Sequence, residues 1–251
     1  VGCSQETTQE KEPEKVYNNT LVNIDPLRTN GKTINQLLEE DSSYLKILFG
    51  EIYEIHNEQQ LAELIEQRII EKESFIGVKY LGREMPTKVI EEVYERITNE
   101  NDLINSTFEM FEYGFEKIKD GFFIDFKNTF LITNLLEEQT NKKINEMYAS
   151  LSPQLDGLSD YEKTKKIYEF VMDHMEYTVG GTYDDHTVVG FVNGKGVCQA
   201  YAIGLYMLLD KAGLEVRYID GALKPKYQNG FPNHAWNMVK LEGQWYHLDA
   251  T

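Results

Sequence analysis

The sequence predicts an α+β protein: a C-terminal core in which one helix is followed by antiparallel strands, preceded by a smaller α+β module. Two patterns and a break carry this. After the turn Asn193-Gly194-Lys195-Gly196, apolar residues fall at helical spacing (Tyr201, Leu205, Leu208, Leu209), and two short alternating runs then flank Glu242-Gly243. Between about residues 55 and 150, helical patterns alternate with strand-like runs. A breaker-rich link, Ser152-Pro153 to Leu158, separates the two regions. The expected organisation is a disordered tether over 1–15, a helical and α+β module over 16–152, and a catalytic domain over 153–251.

Composition narrows the class. The 251 residues carry 42 Asp and Glu against 25 Lys and Arg, a net charge of −17. Nucleic-acid binding needs clustered positive charge, so no nucleic-acid partner is expected. No apolar run approaches the roughly 20 residues of a membrane helix. The two cysteines, Cys3 and Cys198, are too few and too far apart for a disulfide framework.

The elements follow in order. Val1-Gly2-Cys3 resembles the end of a bacterial lipobox, and the polar, mostly acidic stretch after it has nothing to pack. Lipid attachment at Cys3 is therefore expected, and it is the one route expected to bring the chain to a membrane. Thr33 caps a helix carrying Ile34, Leu37 and Leu38, and Tyr44, Leu45 and Leu48 repeat the spacing. Asn57 caps a helix with Leu61, Leu64, Ile65 and Ile69 on one side. Phe75 to Tyr80 reads as a strand closed by Gly82. Pro86 or Thr87 opens a helix with Val89, Ile90, Val93, Tyr94 and Ile97. Phe115–Lys119 and Phe122–Phe126 form a hairpin with Asp120-Gly121 as its turn. A helix over about 134–148 presents Leu135, Ile144, Met147 and Tyr148. Ser159 or Asp160 caps another with Ile167, Tyr168, Val171 and Met175, and Tyr177–Asp185 reads as a loop ending at His186.

The chemistry gathers in the last third. Cys198 opens a predicted helix that runs to about Ala212 and stops at Gly213. The helix dipole and unpaired N–H groups favour an anion there, which lowers a thiol pKa toward the reactive thiolate. The Cys198 N–H could also hold an oxyanion. A lone cysteine is ordinarily a small buried hydrophobe; flanking glycines at a helix start favour the nucleophile. Lys224–Pro232 reads as an exposed loop between strands. If Glu242-Gly243 forms the next turn, Leu241 faces Gln244 and Trp236 faces Asp249. His234 then lies on the same face as Asp249 and diagonal to it, within reach of a hydrogen bond. A slip of one residue would break this parity. His247 and His174 compete for the role of base, and His234 at the mouth of the hairpin is preferred. His56 beside its helix cap is assigned nothing, and no metal-ligand spacing is present.

Gly194–Ala202 (GKGVCQAYA), His234-Ala235-Trp236-Asn237 and Trp245–Thr251 (WYHLDAT) resemble, in order and spacing, the bacterial transglutaminase-like superfamily. The resemblance covers roughly residues 160–251. It implies a papain-like α+β fold and a catalytic triad of Cys198, His234 and Asp249. Gln199, Tyr201 and Trp236 are candidates for substrate or oxyanion contacts, with no cofactor and no metal. Ala200 stands where the family often has Gly, and Val188-Val189 where it often has Ala-Tyr, so the second oxyanion donor has no obvious bearer. Family domains usually continue past the equivalent of Thr251. The expected activity is thiol-dependent acyl transfer or hydrolysis on amide bonds of peptides or proteins, at the outer face of a bacterial membrane. The alternative is a surface binding module that keeps the fold without turnover.

Overall fold

The computed structural model describes residues 14–18, 21–40, 42–178, 182–222 and 233–251. Cys3 and almost all of the expected tether lie outside the described residues, as does the expected loop at 224–232. The chain forms two compact units, Glu12–Phe130 and Leu131–Thr251.

The first unit contains β1 (Glu14–Asn18), α1 (Ile34–Glu39), α2 (Ser43–Phe49), β2 (Ile52–Ile55), α3 (Glu58–Ile70), β3 (Phe75–Tyr80), α4 (Thr87–Glu100), α5 (Asp102–Thr107), β4 (Phe108–Ile118) and β5 (Gly121–Phe130). Its five strands run in the order β1-β4-β5-β3-β2, with β4, β5 and β3 antiparallel and the outer strands parallel to their neighbours. The period-2 alternation of β5 divides the core. Ile124 and Phe126 pack with Leu61, Ile65, Ile90 and Tyr94 of α3 and α4. Phe123 packs with Ile34, Leu37, Leu45 and Phe49 of α1 and α2. Caps end the helices where expected: Thr33 forms a capping box with Gln36, and the Asn57 side chain accepts from Gln60 N–H.

The hairpin differs by one residue from the sequence expectation. Ile118 pairs with Gly121, so the two-residue turn is Lys119-Asp120 and not Asp120-Gly121. Gly121 is set by a close approach as well as by its φ of 154°: a Cβ there would lie 2.0 Å from the Tyr80 carbonyl oxygen. β1, β2 and α5 lacked a legible pattern.

The second unit contains α6 (Asn134–Leu151), α7 (Asp160–His174), β6 (Glu176–Tyr177), α8 (Val188–Asn193), β7 (Lys195–Gly196), α9 (Cys198–Lys211), β8 (Val216–Ala222), β9 (Asn233–Leu241) and β10 (Gln244–Leu248). The expected boundary near Ser152-Pro153 lies inside this unit, which begins at Leu131. Helix α6 belongs to the second unit, because Ile144 and Leu151 are buried in the same core as Leu205, Leu208 and Leu209 of α9. The breakers at 152–158 mark a bend inside the unit, a 3-10 turn over Ser152–Gln154. Leu135, expected on the apolar side of α6, is exposed.

Helix α9 is buried nearly all round, as a central core helix is. Its small residues let neighbours close in, and a Cβ on Gly204 would lie 2.1 Å from the Phe191 ring. The antiparallel sheet β10-β9-β8 packs on it. Asn237 of β9 ties the layers, its amide donating to the Ala202 carbonyl at 3.0 Å and toward the Arg217 carbonyl at 3.3 Å. The architecture is α+β, with the nucleophile helix packed on an antiparallel sheet. Among the described residues no helix is long and apolar enough to cross a membrane.

Candidate active site

Cys198 is the first residue of α9, after an extended Val197 whose side chain makes no cap bond. The first-turn N–H groups are thus left without a side-chain acceptor at the N-cap, the arrangement that favours an anion. The thiol is free and half-buried. Its approach is fixed from behind. The Val197 N–H donates to the Asp185 carbonyl at 2.9 Å, and a Cβ on Gly196 would lie 2.8 Å from that same carbonyl and 2.5 Å from the Ala200 Cβ. Only glycine lets the 3-10 turn Tyr183–His186 pack against the chain leading into Cys198.

The β9–β10 hairpin has the register that parity demands. Gln244 pairs with Leu241 and Leu248 with Asn237, around Glu242 and Gly243, both at positive φ. His234 and Asp249 are therefore diagonal neighbours on one face, and they bond: His234 Nε2 and Asp249 Oδ2 are 2.8 Å apart. Burial pushes the Asp249 carboxyl upward, but hydrogen bonds from His234 and from the Thr251 hydroxyl and N–H outweigh it and hold the group below the usual aspartate value. An ionised Asp249 accepts from Nε2–H, which leaves His234 Nδ1 as the ring nitrogen able to take a proton.

The competing histidines have other duties. His174 Nε2 lies 2.7 Å from the Phe191 carbonyl, and its ring stacks on Phe170. His247 Nδ1 accepts from the Trp236 indole N–H at 2.9 Å.

Of the remaining candidates, Trp236 meets this pair directly, while Gln199 and Tyr201 meet other residues. Trp236 is buried and lies nearly parallel to the His234 ring, 5.8 Å between centroids and 18° between planes. Tyr201 is buried one turn into α9 and packs on Tyr177; burial, then Glu176 and Tyr177, raise its pKa, so its phenol stays neutral. The Gln199 Oε1 lies 2.8 Å from His186 Nδ1. An amide oxygen only accepts, so His186 donates from Nδ1. Sequence reasoning gave His186 no role. Its one signal was its place between a turn and the Thr187 cap of α8, a helix too short to read from periodicity.

A cysteine opening a buried helix, with a His–Asp pair on the adjoining antiparallel sheet, is the arrangement of the papain-like thiol proteins. Residues 149–250 match the family model of the transglutaminase-like superfamily. The match supports thiol-dependent chemistry in general. No curated protein matches the chain. Among solved structures, the chain is similar to a TGase at 14% identity, covering 80% of this chain and 60% of that one with a TM-score of 0.39. It is similar to a cysteine-protease candidate from Cytophaga hutchinsonii at 16% identity, 56% and 61% coverage and a TM-score of 0.35. It is also similar to the periplasmic domain of TgpA from Pseudomonas aeruginosa, at 16% identity, 53% and 56% coverage and a TM-score of 0.33. The chain thus spans about three fifths of the length of the solved structures it matches. At these scores the likeness to the superfamily rests on the family model.

Proposed function

We propose that Cys198, His234 and Asp249 act together as the triad of a thiol enzyme on amide bonds of peptides or proteins. The observation that carries this is the His234–Asp249 bond at 2.8 Å, which orients the imidazole and engages Nε2, so that Nδ1 is the nitrogen to receive the Cys198 proton. His234 takes the Cys198 proton and the thiolate attacks the carboxamide carbon. The Cys198 N–H helps hold the resulting oxyanion. Protonated His234 then returns its proton to the leaving amine, giving a thioester. Water releases a carboxylate from that thioester; a primary amine gives a new amide. Asp249 steadies the imidazolium throughout. Lipid attachment at Cys3 and a place at the outer membrane face belong to the same proposal and rest on the sequence.

The test is incubation of the wild type and Cys198→Ala with a peptide library, with and without a primary amine. Products dependent on Cys198 are expected, hydrolysed or amine-bearing, and which of the two predominates defines the acceptor. No Cys198-dependent product in either arm overturns the reading and leaves a binding module.

A further inference from the structure

Two hydrogen bonds on the open face of the β9–β10 hairpin follow the same diagonal. His234 reaches Asp249, and two residues further along each strand Trp236 reaches His247. Between the two bonds the His234 and Trp236 rings stack. We propose that His247 is a positioning residue for the reaction, acting through Trp236 on the plane of the His234 ring. The inference rests on the reading of His234 as the base.

The physical argument starts from what one bond cannot do. The Nε2–Oδ2 contact fixes one end of the imidazole but leaves the ring free to turn about the line of that bond. A flat partner on its face removes this freedom, and Trp236 supplies one. The indole is itself held in one rotamer only if its N–H has a partner. Trp236 is 7% exposed, so the N–H cannot turn to water without leaving its place. His247 Nδ1 meets it at 2.9 Å and must present a lone pair, which puts the His247 proton on Nε2. The rings of Trp236 and His247 are 6.1 Å apart at 44°, so the contact is a hydrogen bond and not a stack. Without an acceptor at 247 the indole N–H loses its partner, and rotation of the indole away from His234 toward another acceptor relieves that loss.

The experiment needs no identified substrate. Iodoacetamide alkylation of Cys198 is followed from pH 4 to 10 by mass spectrometry of the Cys198 peptide, which excludes any signal from Cys3. The thiolate is the attacking species, so a base placed for the Cys198 proton speeds alkylation below neutral pH and not at pH 10, where thiols ionise without help. His247→Leu is expected to slow alkylation at pH 6 roughly three- to tenfold, the range of one neutral hydrogen bond, and to leave the rate at pH 10 unchanged. Trp236→Phe, which removes only the indole donor and second ring, should do the same. His247→Asn keeps an acceptor near the Nδ1 position and should restore the wild-type profile. If His247→Leu is poorly folded by circular dichroism, Trp236→Phe and His247→Asn still decide the matter. Profiles for His247→Leu and Trp236→Phe that superimpose on the wild type overturn the inference, and so does an equal loss at pH 6 and pH 10. His234→Ala separates the premise: if that variant alone keeps the wild-type profile, the assignment of the base falls. If it loses the low-pH limb while His247→Leu keeps it, only the role of His247 falls.

Discussion

Asp249 has a 45% exposed side chain yet holds its charge firmly, because three donors converge on it, the His234 Nε2–H and the Thr251 N–H and hydroxyl. Its depressed pKa keeps it ionised from neutral pH down into the acidic range. Asp249→Asn tests its role. The variant removes the charge and can offer an amide N–H where His234 Nε2 donates, favouring the wrong tautomer. Turnover of any Cys198-dependent substrate is expected to fall by about a hundredfold or more, with the melting temperature nearly unchanged. A change under threefold, read as kcat/KM in the same assay, would remove Asp249 from the mechanism. The His234–Asp249 pairing was legible in the sequence because strand alternation has a period of two and the turn at Glu242-Gly243 fixed its phase. His186 was not legible. Its partner Gln199 lies 13 residues away across a glycine-rich approach, and no periodicity spans such a fold-back.

Helix α9 shows how an element's composition serves the position of its first residue. Ala200, Ala202 and Gly204 are small where Phe191, the sheet and the preceding turn press in, and the larger Leu205, Leu208 and Leu209 fill the core behind. Two effects oppose each other at Gly204. Alanine is better than glycine inside a helix by about 1 kcal/mol, but its Cβ would sit 2.1 Å from a fully buried Phe191 ring. Overpacking of a core costs about 1–3 kcal/mol, and here it has no flexible side-chain end to displace. Gly204→Ala is therefore expected to destabilise the protein by up to about 2 kcal/mol in urea unfolding, with Phe191→Leu in the same chain recovering part of the loss. A stabilised Gly204→Ala would show that Phe191 has room to move. The start, stop and buried face of this helix were readable from spacing and turn residues. Helix α8 beside it was not, since six residues give under two turns of pattern.

The two units have separate cores, and the fully buried carboxylate of Asp125 gives the first a pH response of its own. Asp125 lies in the middle of β5, fully buried, and accepts from the Val22 N–H at 3.0 Å and the Asn23 N–H at 2.7 Å. It thereby fastens the chain at 22–23 to the sheet over a separation of about a hundred residues. Burial is the larger influence and raises its pKa to about 6, against the hydrogen bonds from Asn23, Val22 and Gly114 that lower it. The sign follows from proton counting. Between the unfolded aspartate value of about 3.9 and the folded value, the folded chain binds the extra proton. The contribution of Asp125 is therefore greatest below that window and is lost as pH rises through about 6. The full span is on the order of 3 kcal/mol. Denaturant unfolding of the wild type and Asp125→Asn at pH 4, 5, 6 and 7 isolates it, because every other titrating group is common to both. The wild type should gain stability relative to Asp125→Asn as pH falls from 7 to 4, and hydrogen exchange should localise the gain to amides of β5 and of Val22 and Asn23. A stability difference independent of pH would mean that Asp125 titrates alike in the folded and unfolded chain. In that case the fastening of residues 22–23 would depend on the shape of the side chain and not on its charge.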